Sequence, residues 1–114
     1  CVAFFEIAPK IAVNARTSRE EALGVQIVKN ALLKPLKLLA ENAGINGEVV
    51  FNELLRREEG VGYNVVTNKY VSMKESGIVD PVRVTISALQ NAASVASMIL
   101  TTEAIVSEKK ENNE

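Results

Sequence analysis

The chain has 114 residues, 47% of them apolar, with 13 basic and 14 acidic side chains and a net charge of −1. That length suits one domain with a sizeable core, and so even a charge balance supplies no basic stripe for nucleic acid. With no His and a single Cys, the chain excludes His-based acid–base catalysis, Ser-His-Asp and Cys-His nucleophiles, histidine metal sites, internal disulfides and cysteine zinc clusters.

Trp is absent and aromatics are few, so no platform for stacking bases is expected. No run of about 18 uninterrupted apolar residues occurs, so no membrane span is expected. The first residues lack the basic region, apolar region and cleavage site of a secretory signal, so none is expected there. The chain starts with CVAFFEI, which reads as buried structure and is expected to follow on from something earlier. Cys1 is read as an incidental free thiol, in keeping with a reducing compartment.

In chain order, Val2 to Asn14 carries apolar residues on nearly every face and is expected to be a buried helix divided near Pro9. Ser18-Arg19-Glu20-Glu21 fits a capping box and opens a long helix. In that helix Leu23, Ile27, Ala31, Pro35 or Leu36, Leu39 and Ala43 form a helical stripe. Leu33 and Leu38 lie off it, so cover on more than one side is expected. Pro35 removes one helical amide, and Gly44 is the expected stop.

Gly47 to Glu59 predicts a shorter helix with Val50, Leu54 and Leu55 inward. Its last residues, Arg56 to Glu59, form a solvated charge run. The glycines and asparagines of Gly60 to Asn68 predict a hairpin or tight loop, and Tyr70 to Ser76 is open between helix and strand. Val79-Asp80-Pro81 predicts a helix start, with Asp80 as N-cap and Pro81 at the first helical position. The helix that follows is expected to turn Ala88, Leu89, Ala92, Ala93, Ala96, Ile99 and Leu100 inward. Gln90, Asn91 and its serines argue against a membrane helix. Ala104 to Ser107 reads as a terminal strand and Glu108 to Glu114 as a polar, disordered tail. Composition and periodicity thus give a mainly helical domain, residues 1–107, with a tail at 108–114, and no function.

Three motifs occur in a fixed order. They are Tyr63-Asn64-Val65-Val66-Thr67-Asn68-Lys69-Tyr70, Gly77-Ile78-Val79-Asp80-Pro81, and the SALQNAAS and LTTEA segments of the last helix. This order resembles the C-terminal part of group I chaperonins, the GroEL type, and the resemblance covers essentially all of the chain. It implies the C-terminal half of an equatorial domain: mainly α, with long helices, a small β hairpin and a terminal strand.

The resemblance places Asn64, Val65 and Val66 against the adenine of ATP, and Asp80 on the ribose hydroxyls. Val65-Val66 stands where the family usually has two alanines, and Ile86 where it has an arginine. Read without the family, the valines are core and Asp80 is only a cap; with it, Asp80 is given both roles. The family's Gly-Asp-Gly-Thr-Thr segment, which holds phosphates and magnesium, is not in this sequence. No catalytic or metal-binding residue is therefore assigned, and the segment alone is expected not to hydrolyse ATP.

For the parent protein the resemblance implies an ATP-hydrolysing chaperone in a homo-oligomeric double ring. Lys37 and Glu48 are the candidate charges for ring-to-ring contacts, and the terminal strand would pair with a neighbouring subunit. A co-chaperonin lid and unfolded proteins would bind through domains this sequence lacks. Bacterial cytoplasm, plastid stroma and mitochondrial matrix are the compatible locations. The alternative is a stand-alone helical protein that self-associates without catalysis.

Overall fold

A computed structural model describes residues 1–14, 16–104 and 106. The chain divides into two compact units, Cys1–Ile78 and Val79–Glu114.

In the first unit, helix α1 spans Val2–Ile7 and passes into a 3-10 turn at Ala8–Lys10. Pro9 sets this division, because it has no amide to donate and its ring crowds the preceding turn. The expected helix to Asn14 therefore ends at Lys10. Only Ala8 of this segment is buried.

Helix α2 covers Arg19–Asn42 and continues through Pro35. Ser18 Oγ accepts from the Glu21 amide at 3.1 Å, which is one arm of the capping box. The reciprocal bond from the Ser18 amide to Glu21 is not formed among the described residues. At the other end Gly44 takes φ +79°. Gly44 N donates to the Glu41 carbonyl and Ile45 N to the Ala40 carbonyl, each at 2.9 Å. These two bonds form a Schellman closure, with the left-handed residue that favours glycine.

The apolar stripe read from the sequence of α2 is divided: its member Leu36 is in the core, while its other leucines and its isoleucine are exposed. Leu23, Ile27 and Leu39 are 61%, 69% and 42% exposed, while Leu32, Leu36 and Ala40 are buried. Leu23 and Ile27 lie across the helix from Leu32 and Leu36, while Leu39 borders the buried side. Helix α3, Gly47–Leu54, packs on the buried side, with Val50 and Leu54 against Leu36 and Ala40. It stops at Leu54 instead of Glu59, and Leu55 is exposed instead of inward. Asn46 caps it by accepting from the Glu48 amide at 2.9 Å.

Strands β1, Val61–Asn64, and β2, Lys69–Ser72, pair antiparallel, with Tyr63 opposite Tyr70 and Asn64 opposite Lys69. The strand option for Tyr70 onward is thus the one taken, as far as Ser72. Tyr63 completes the buried core, against which Phe5, Ile45, Val61, Val65 and Tyr70 also pack. Phe5 meets Phe51 edge-on, and Tyr63 lies 5.0 Å from Tyr70 between ring centres.

The second unit contains helix α4, Val82–Thr101. With 20 residues and a mean hydropathy of 1.3 it is long and apolar enough to cross a bilayer by length and composition alone, although it contains no uninterrupted apolar run of about 18 residues. Gln90, Asn91, Ser87, Ser94 and Ser97 are polar groups that such a path would have to place in hydrocarbon. The expected strand Ala104 to Ser107 falls partly outside the described residues, and Ala104 and Val106 are not in a strand. The tail Glu108 to Glu114 lies outside them altogether.

Candidate functional site

The hairpin turn is built around Asn64. Its Oδ1 accepts from the Val66 amide at 3.0 Å and from the Thr67 amide at 3.3 Å. An Asn at the end of a strand does this readily, because its short side chain mimics a backbone carbonyl. On the far side of the turn Asn68 adopts φ +55°, a conformation that Asn tolerates better than most residues. The Tyr63 hydroxyl donates to Asn68 Oδ1 at 2.9 Å and ties the turn across its base.

The two valines separate. Val65 is half-buried against the core, whereas Val66 is 87% exposed. The reading of both as core side chains therefore fails for Val66. Asn64, Val65 and Val66 share one turn, with an amide and an apolar side chain beside each other. Tyr63 and Asn68, which hold that turn, had not been given this role from sequence. The available signal was an asparagine at a loop position where the chain must enter left-handed backbone.

Asp80 belongs to the second unit. It does not cap α4, which begins one residue later than expected. Pro81 is the N-cap, with ψ 129° and no side-chain capping bond. The Pro81 carbonyl accepts from the Val84 amide at 3.0 Å and from Thr85 at 3.3 Å. A carboxylate can reach the second or third helical amide only from the N-cap position. Asp80 stands one residue further back, so its exposed carboxylate is not committed to the helix.

Two charged pairs lie within the first unit. Lys37 Nζ pairs with Glu48 Oε1 and lies 4.7 Å from the centre of the Phe51 ring. The two charges proposed for contacts between rings thus meet each other. Arg57 bonds Glu53 through Nη2 at 2.7 Å, and its guanidinium sits 4.8 Å from the Tyr70 ring centre. Burial raises the Tyr70 hydroxyl above its ordinary value of 10.0; the Glu53 carboxylate and Tyr63 add to this, and Arg57 opposes it. A cleft of about 340 Å³, lined in part by Phe5, Leu33, Phe51 and Leu54, includes none of the four predicted site residues.

The fold is similar to a solved structure described as the open-state monomer of a group II chaperonin from Methanococcoides burtonii. The two share 28% sequence identity with a TM-score of 0.69, over 89% of this chain and 25% of that one. Residues 1–110 match the TCP-1/cpn60 chaperonin family, and the chain belongs to that family. Its helices and hairpin are a segment of a chaperonin equatorial domain, about a quarter of the length of the solved relative.

Proposed function

We propose that this chain is part of an ATP-hydrolysing, protein-folding chaperonin of the group I type, and that it supplies the base and ribose side of the nucleotide site. The observation that carries this reading is the Asn64 turn, in which an anchored carboxamide stands beside the exposed side chain of Val66. A planar base needs both, a polar group at its edge and an apolar surface at its face. Asp80 adds a carboxylate free of any capping role, and carboxylates accept well from paired ribose hydroxyls. The group I assignment rests on the three ordered motifs of the sequence.

Phosphates and magnesium are left to segments outside this sequence, and no hydrolytic step is assigned to these residues. In the parent ring, ATP binding would favour one conformation over another by its difference in affinity for the two. Unfolded proteins, the lid and the neighbouring subunits are partners of that assembly.

The test is Asp80→Asn in the full-length protein, followed by titration with a fluorescent ATP analogue. A hydrogen bond to a charged group is worth about 1.5–3 kcal/mol, so affinity is expected to fall about tenfold or more. Helix content is expected to stay constant, because Asp80 does not cap α4. Unchanged affinity would remove Asp80 from the site.

A further inference from the structure

We propose that Asn64 reads the bound base only as a hydrogen-bond donor, through Nδ2. The ligand atom it takes is then an acceptor, a ring nitrogen or carbonyl of a purine, and not the exocyclic amine of adenine. This deepens the nucleotide reading above and rests on it.

A carboxamide oxygen has two lone pairs. In Asn64 both are used inside the turn, one by the Val66 amide and one by the Thr67 amide. Those two N–H groups also fix which way the side chain faces, since only its oxygen can accept from them. Turning the amide over would leave two backbone donors without partners at the tip of the hairpin. Among the described residues the Nδ2 hydrogens have no acceptor, so they are what the side chain has left to offer a ligand.

Asn64→Asp separates the possibilities by the sign of its effect. Aspartate keeps an oxygen for the Val66 and Thr67 amides, so the turn is retained. It replaces the two outward hydrogens with lone pairs. Binding of ATP and of purine riboside triphosphate, which lacks the 6-amino group but keeps every ring nitrogen, is measured on the full-length protein and on the variant.

The expected result is a loss of about tenfold or more, by the same factor for both nucleotides. ATP affinity that is unchanged or raised in the variant would overturn donor-only reading. So would a loss confined to ATP. A second measurement needs no variant: among 1-, 3- and 7-deaza-ATP, at least one is expected to bind the wild-type protein about tenfold more weakly than ATP. Equal binding by all three overturns the proposal. If no nucleotide binds the wild-type protein, the base-site reading falls and this inference falls with it. If ATP binds and only the Asn64 prediction fails, the base-site reading stands alone.

Discussion

Gly47→Ala tests how closely α2 and α3 approach. A Cβ built on Gly47 lies 2.8 Å from the Lys37 carbonyl oxygen and 2.9 Å from the Lys37 Cα and Cβ. Gly47 is buried, and its φ is not positive, so its backbone would accept alanine without strain. The cost is therefore steric. The obstacle is largely main chain of another helix, which has no rotamer to escape into. Helix α3 has to move outward, drawing Val50 and Leu54 away from Leu36 and Ala40. Overpacking of this kind costs about 1–3 kcal/mol. Helix propensity returns up to about 1 kcal/mol in a helix interior and less in the first turn. The net loss is about 1–2 kcal/mol, which for a domain of this size lowers Tm by roughly 4–15 °C. Gly24→Ala is the control. Gly24 is exposed in mid-helix with nothing within 4 Å of a built Cβ, so the same substitution is expected to stabilise by about 0.5–1 kcal/mol. Both are read from thermal melts followed by circular dichroism in one buffer. A Gly47→Ala melt at or above wild type, or shifts of the same sign in the two variants, would refute the packing argument.

Ser18→Ala removes the acceptor for the Glu21 amide and is expected to cost about 1 kcal/mol, seen as a lower urea midpoint with an unchanged slope. For Tyr70 the folded pKa lies above the unfolded one, so the unfolded chain loses this proton first as pH rises. Stability is then full below pH 10.0 and declines above it, because the native state binds more protons there. Tyr70→Phe is expected to flatten that alkaline decline, measured by denaturant unfolding across the range, and an identical slope in the variant would exclude Tyr70 as its cause.

Where backbone chemistry is local, the sequence was legible. Ser18 as acceptor, the stop at Gly44 and the hairpin after Gly60 each depend on one or two residues whose side chains or φ preferences admit few alternatives. The orientation of α2 was legible only in part: the predicted stripe held Leu36, which is buried, together with Leu23 and Ile27, which are exposed. A hydrophobic period locates an apolar face, and α2 has two, one through Leu23 and Ile27 and one through Leu32, Leu36 and Ala40. Nothing local to the helix says which one α3 will choose. That choice comes from Val50 and Leu54, ten or more residues downstream, and from the close approach that Gly47 permits. The Glu59 boundary failed for a related reason. Charged residues suit helices, but beyond Leu54 no apolar residue faces the core to hold another turn, and Leu55 points outward.

The motifs single out the proposed site residues, and the hydrogen bonds constrain what those residues can do. Sequence offers Asn64 as a group able both to donate and to accept; the turn consumes its accepting half. Sequence offers Asp80 as a cap and a ligand at once; starting α4 after Pro81 leaves only the second role open. Pro81 explains that shift. Its ring fixes φ and suits either the N-cap or the first helical position, so an Asp-Pro pair leaves the register of the helix start undetermined by one residue. One residue is the difference between a carboxylate bonded to its own helix and one available to a sugar. The same step applies at Val65-Val66. Neighbours of identical type differ because a turn sends successive side chains to opposite sides, one into the core and one into solvent. Of the pair, Val66 is the one that the proposed base could meet, and Val65 packs against the core.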